Sequence, residues 1–142
     1  MATQDIMSMT RSYSYLTDGT LRYRPNNEGV AERWLFVDIE GVIGSATAQA
    51  LANKVGINAR AAGADYLQAL VPISLQLATW AQKIVFLDQV SYDKAAEMFQ
   101  GYEYSWLSIT GKSVILDIAD TYFYMSPELV NILKQKLPEL AV

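Results

Sequence analysis

The chain has 142 residues, 51% of them hydrophobic, which suits one core and leaves little room for a second. Its formal charge is −4, and its eleven basic residues are scattered, so no stripe for a phosphate backbone is visible and nucleic acid is not an expected partner. Cysteine and histidine are both absent, which excludes disulfides, thiolate zinc sites, thiol nucleophiles and imidazole bases. Carboxylates, Lys, Tyr, Ser and Thr remain for any chemistry, and only a hard oxygen-bound ion such as Mg²⁺ would suit them.

Residues 1–33 are rich in Tyr, Ser, Thr, Asn and Arg, and read as an extension set apart from the core. Met1 to Arg11 shows no apolar leader, no apolar run is long enough to cross a bilayer, and membrane association is not expected. The expected location is the cytoplasm or a particle assembled inside the cell. Within the extension, Ser12-Tyr-Ser-Tyr-Leu-Thr17 and Thr20-Leu-Arg-Tyr-Arg24 flank Asp18-Gly19, a dipeptide suited to a type I′ turn, so a β-hairpin is expected. Pro25 to Gly29 reads as a linker.

From residue 34 to 142 short apolar runs alternate with helix-period segments, the pattern of βαβ units around a parallel sheet. Trp34 to Val37 reads as strand one, followed by a helix over Ala46 to Val55 with Gly56 at its C-terminal cap. Ile57 to Ala61 reads as strand two, and Pro72 as the start of a helix carrying Ile73, Leu77 and Trp80 inward. Ile84 to Leu87 is strand three, Ser91 to Phe99 a helix capped by Ser91, and Val114 to Ile118 strand four. Ser126-Pro127-Glu128 opens a last helix with Leu129, Ile132, Leu133 and Leu137 on one stripe. The expected fold is a three-layer α/β/α domain with a four-stranded parallel sheet, plus the N-terminal hairpin. Ligands of such sheets bind beyond the carboxyl ends of the strands, which directs attention to the loops starting at Asp38 and near Asp117.

The joint after strand one, Val37-Asp-Ile-Glu-Gly-Val-Ile-Gly-Ser45, has the glycines and the helix start of a phosphate cradle. It resembles the active-site loop of low-molecular-weight protein tyrosine phosphatases, especially their short prokaryotic branch, in which a strand ends in Val-Cys, five residues follow, and Arg-Ser-Pro-Thr-Ala-Glu opens a helix. Here Val37-Asp38, five residues and Gly44-Ser-Ala-Thr-Ala-Gln49 keep that frame. Gly56-Ile-Asn-Ala-Arg-Ala-Ala-Gly63 is similar to the family's Ala-Arg-Ser-Ala-Gly segment, and Thr79-Trp-Ala-Gln-Lys-Ile-Val-Phe-Leu-Asp88 to its Trp-Ala-Asp and following strand. Val114 to Leu129 resembles its Leu-Asp-Ile-Pro-Asp, Tyr, Met-Asp-Pro-Glu-Leu run.

The resemblance implies a cysteine nucleophile where Asp38 stands, an arginine where Gly44 stands, and a general acid at Asp120, with Ser45 keeping its place. Glycine cannot replace a bidentate guanidinium, and ionised Asp38 with Glu40 nearby repels a dianion. The expectation is therefore a pseudophosphatase, not an enzyme and without cofactor, in which Asp38, Gly44, Ser45 and Asp120 are vestigial. Asp117 and Asp120 also read as residues of a turn ending a strand, and Arg60 as a partner to nearby carboxylates.

A second resemblance runs through Asp38-Ile-Glu-Gly-Val, which is similar to the first motif of haloacid-dehalogenase-type phosphohydrolases. It implies Asp38 as nucleophile, Glu40 as acid/base, and Asp117 or Asp120 completing a Mg²⁺ site with them. The first reading makes the chain a structural or protein-interaction subunit of a homo-oligomer or larger assembly, a viral particle among the candidates. Its expected contact residues are Tyr13, Tyr15, Arg22, Tyr23 and Arg24 of the arm, because Tyr and Arg are enriched at interfaces. The aromatics of Gly101 to Leu107 and Thr121 to Met125 offer a second patch or a cover for the sheet's end.

Overall fold

In a computed structural model the chain divides into two units, Met1–Glu32 and Arg33–Val142, and the structure describes residues 31–141. The hairpin expected around Asp18-Gly19 and the arm residues Tyr13, Tyr15, Arg22, Tyr23 and Arg24 lie outside the described residues.

Four strands, β1 (Arg33–Asp38), β2 (Asn58–Gly63), β3 (Lys83–Phe86) and β4 (Ser113–Ile115), form one parallel sheet in the order β2-β1-β3-β4. β1 is central because it can be buried on both faces: Trp34, Leu35, Phe36 and Val37 form a continuous apolar run, and all four are within 2% of full burial. The pleat sends Trp34 and Phe36 to one side, where they join Val85, Leu51, Leu129 and Leu133. Leu35 and Val37 go to the other side with Ile84, Phe86, Ile73 and Ile109. Register follows the same logic, Phe36 lying beside Ala61 on β2 and Val85 on β3.

Helices α1 (Gly44–Lys54) and α5 (Pro127–Lys136) supply the first layer, and α2 (Leu75–Trp80), α3 (Gln89–Met98) and α4 (Glu103–Thr110) the second. A 3₁₀ turn, Pro138–Ala141, follows α5 and buries Leu140. The expected three-layer α/β/α arrangement with a four-stranded parallel sheet is therefore observed. Among the described residues no helix is long and apolar enough to cross a membrane.

Local chemistry sets the helix ends. Ser126 caps α5 through its side chain, which accepts from Leu129 N, with Pro127 in the first turn as expected. Gly56 takes φ +94° just beyond α1, where no Cβ is tolerated cheaply. Two expected caps are corrected. Asp88 caps α3, its Oδ1 accepting from Ser91 N at 2.9 Å, while the Ser91 hydroxyl donates to Asp88 O. Ser74 caps α2, because Pro72 is occupied in a bridge to Gly63 and the helix begins only at Leu75. Helix α4 was not expected at all: its aromatic sequence carries Trp106 and Ile109 to the core at helical spacing. β4 is shorter than expected because Asp117 adopts φ +61°, a left-handed conformation that interrupts the strand although Leu116 N and Ile118 N still donate to Phe86 O and Leu87 O.

Candidate functional site

The C-terminal end of β1 runs into a loop pressed against the end of β2. Ala64 N donates to Asp38 O at 2.8 Å and Asp65 N to Ile39 O at 3.0 Å, so the first two residues of the loop are pinned to the neighbouring chain segment. Gly41 lies at φ +79°, and a Cβ there would come within 2.8 Å of Ala62 C and Gly63 N. A Cβ on Gly63 would reach 2.7 Å from Glu40 C. The two glycines permit this close passage of backbone on backbone.

The loop wraps around the Asp38 side chain. Gly41 N donates to Asp38 Oδ1 and Ser45 N to Asp38 Oδ2, the latter at 3.0 Å. Both oxygens of one carboxylate are thus held by amides of a loop that ends at a helix N-terminus, the arrangement by which such loops hold anions. The anion here is the chain's own, and Asp38 is 9% exposed. Ser45 Oγ, in the same turn, is buried with no hydrogen-bond partner among the described residues. Gly44 faces the carboxylate: a Cβ there would sit 3.4 Å from Asp38 Oδ2 and 3.5 Å from Leu87 Cγ, ordinary contact distances.

Around this point Asp38, Gly44, Leu87, Asp88, Asp120 and Tyr122 line a cleft of about 20 Å³, room for roughly one water. Asp120 and Asp38, expected from the sequence to share one site, therefore do so. Glu40 adds its charge to the same end of the sheet. Asp88 was missed by sequence reasoning, although Leu87-Asp88 repeats at the end of β3 the apolar-to-acidic step that Val37-Asp38 makes at the end of β1. The Asp120 carboxyl is held above the ordinary carboxylate range, first by partial burial and then by the negative charges of Asp38, Asp88 and Glu40.

The linkage has a definite sign. A carboxyl whose folded pKa is raised binds its proton more tightly in the native state, so its stabilising contribution is complete below the unfolded value and is lost as pH rises through the folded one. Asp120→Asn keeps the uncharged form, so its melting temperature should exceed that of the parent near neutral pH. The difference should close on acidification to about pH 4, the ordinary carboxylate range. A melting series over that interval checks both.

Two expectations about these side chains are corrected. The acidic residues do not assemble as a Mg²⁺ site: among the described residues no three acidic groups are gathered closely enough to hold a metal. Asp38 already gives both oxygens to amides, and Asp117 is an exposed residue in the left-handed turn after β4. The donor set therefore does not fit the ion. Among the described residues Arg60 pairs with no carboxylate: its guanidinium bonds Asn58 Oδ1 at 3.0 Å and lies 5.2 Å from the centre of the Trp80 ring.

On either side of the mouth the loops after β2 and β4 expose apolar side chains, with Leu67 and Leu70 above 80% or at it, and Phe123 also at 80%. The second of these loops is anchored to α1, Met125 N donating to the buried Thr47 Oγ1 at 2.9 Å.

The parallel order β2-β1-β3-β4, with the loop after β1 curled at a helix start, defines an α/β fold of low-molecular-weight phosphatase type. The chain is similar to a crystal structure of a YwlE mutant from Bacillus subtilis, with a TM-score of 0.50 and 18% identity, over 78% of this chain and 91% of that one. A second structure, of YwlE arginine phosphatase as a cysteine-to-serine mutant with a phosphorylated active-site serine, has a TM-score of 0.48 at 18% identity, over 76% of this chain and 88% of that one. No family model matches the chain, and no curated protein matches it. The expectation that the chain is a pseudophosphatase and not an enzyme is corrected: the fold is that of the YwlE mutant structure, and nothing in that likeness takes catalysis away.

Proposed function

We propose that the chain acts as a protein-interaction subunit whose mouth, at the carboxyl end of the sheet, takes a cationic side chain from a protein partner. The observation that supports it most is the Asp38 carboxylate standing inside the anion cradle, held by Gly41 N and Ser45 N. A cradle that contains its own anion presents negative charge outward, and Glu40, Asp88 and Asp120 add to it. The apolar side chains of Leu67, Leu70 and Phe123 provide the desolvated rim against which such a charge contact is strengthened.

Within this reading the loop after β1 serves as a recognition site in a homo-oligomer or larger assembly, a virion among the candidates. Arg22 and Arg24 of a second copy, with Tyr13, Tyr15 and Tyr23 beside them, have the chemistry to fill it. Sedimentation of the full chain tests the proposal. The parent should be an oligomer, Glu40→Lys with Asp120→Lys should dissociate it, and Arg22→Glu with Arg24→Glu added to that variant should restore association. A parent that sediments as a monomer, or an oligomer indifferent to these charges, would contradict self-assembly through the mouth.

A second reading, a phosphohydrolase with Asp38 as nucleophile, is supported by the Asp120 carboxyl, raised above its ordinary range in the same cleft, and by the phosphatase-type fold. Turnover of an aryl phosphate, measured in EDTA and in Mg²⁺, tests it. Activity that vanishes in Asp38→Asn would favour this reading, and inactivity under both conditions would remove it.

A further inference from the structure

A second concavity lies on the opposite layer from α1 and α5, between α2 and α4. It measures about 270 Å³ and is lined by Thr79, Tyr104, Ser105, Ser108, Ile109 and Lys112, together with Leu75 and Ala78. That volume is close to the roughly 300 Å³ at which small-molecule sites begin. Its floor is apolar, Ala78 and Ile109 being buried, and the Tyr104 ring beside it is 91% exposed. Thr79, Ser105 and Ser108 bring hydroxyl-bearing side chains to its lining.

One end is cationic. Lys112 Nζ donates to Ala81 O and Arg33 Nε to Trp80 O at 2.7 Å, so two positive groups converge on the last turn of α2. The ammonium is partly buried, and the charged group acting on it is the like charge of Arg33. Burial, first, and Arg33, second, hold its pKa below the ordinary lysine value. No carboxylate offsets Lys112 among the described residues, and an ammonium with three N–H groups has donors left after serving Ala81 O.

We propose that the α2–α4 groove is a binding site for a small flat carboxylate, its apolar body over Ala78 and Ile109 against Tyr104, and its anionic group on Lys112 with help from the Ser105 and Ser108 hydroxyls. The site lies outside the mouth described above and does not depend on the function proposed for it. Binding places a negative charge beside an ammonium that no carboxylate offsets among the described residues.

Amide chemical-shift titration of the full-length protein with benzoate, and separately with benzamidine, tests this. The two probes share a ring and differ in the sign of the charge. Benzoate should move the amide signals of Ser105, Ser108 and Lys112 saturably, and benzamidine should not. Ser108→Trp, at an exposed position, fills the groove and should weaken benzoate by at least about tenfold, as should Lys112→Gln, which keeps a donor for Ala81 O but loses the charge. If Lys112→Gln does not fold, Ser108→Trp decides. Equal binding of benzamidine, shifts clustered elsewhere, or affinity unchanged by Ser108→Trp would overturn the proposal.

Discussion

Substituting Gly41 by alanine should cost at least about 3 kcal/mol of stability, measured by denaturant unfolding with the slope unchanged. Two effects add. The backbone at φ +79° is strained for any residue with a Cβ, by about 1–2 kcal/mol. The added carbon would also stand 2.8 Å from Ala62 C and Gly63 N, which are backbone atoms of β2 and cannot turn aside as a side chain would. Moving them disturbs the pairing of Asp38 with Gly63 at the end of the sheet. Gly63→Ala should behave the same way from the other side, its Cβ meeting Glu40 C at 2.7 Å. Gly44→Ala provides the contrast. Its Cβ meets nothing closer than 3.4 Å, and alanine gains over glycine in a helix by about 0.5–1 kcal/mol, so that variant should be neutral or more stable.

Removing the Asp38 carboxylate should cost about 2–4 kcal/mol, although the residue is an acid among other acids. In Asp38→Ala two amides, those of Gly41 and Ser45, lose their acceptor in a place where water has little access. Each such loss is worth roughly 1–3 kcal/mol. Relief of repulsion with Asp120, Asp88 and Glu40 opposes this, but those groups are more exposed and act through solvent, which weakens them. Asp38→Asn is milder, because the side-chain carbonyl can still accept from one amide. The ordering parent, Asn, Ala in unfolding free energy is the expected result. An Asp38→Ala variant as stable as the parent would mean that the amides find other acceptors.

Most of the scaffold was legible in the sequence. The run Trp34 to Val37 could be buried on both faces only as a central parallel strand, and Ser126-Pro127-Glu128 marked a helix start whose cap is observed. What escaped was decided by tertiary context. Ser91 looked like a cap by its own chemistry, yet Asp88, two residues past the end of β3, accepts from the orphan amide of Ser91. Gly101 to Leu107 read as an aromatic patch, and only the packing of Trp106 against Tyr92 and Phe99 shows why most of it is helical. Asp117, an apparent ligand or turn residue, is placed by a left-handed backbone that sequence alone does not reveal.

The site was half legible. The sequence directed attention to the loop from Asp38 to Ser45, and the structure places Asp38, Gly44 and Asp120 around one cleft. That Asp38 folds back into the loop, instead of pointing out as a free charge, required the geometry: a carboxylate is an anion of the size the amides can hold, and it is tethered one residue from the start of the loop. The same fact changes the account of Glu40, Asp88 and Asp120, which surround a filled cradle and not an open one.

The claim that the cradle contains its own anion is tested most directly by chemical rescue. Thermal unfolding of the parent and of Asp38→Ala is compared in formate and in chloride at equal ionic strength. Formate is the missing carboxylate without its tether, so it should raise the melting temperature of Asp38→Ala in a saturable way and leave the parent unchanged. Stabilisation of the parent to the same extent, or no response of Asp38→Ala beyond that in chloride, would contradict it.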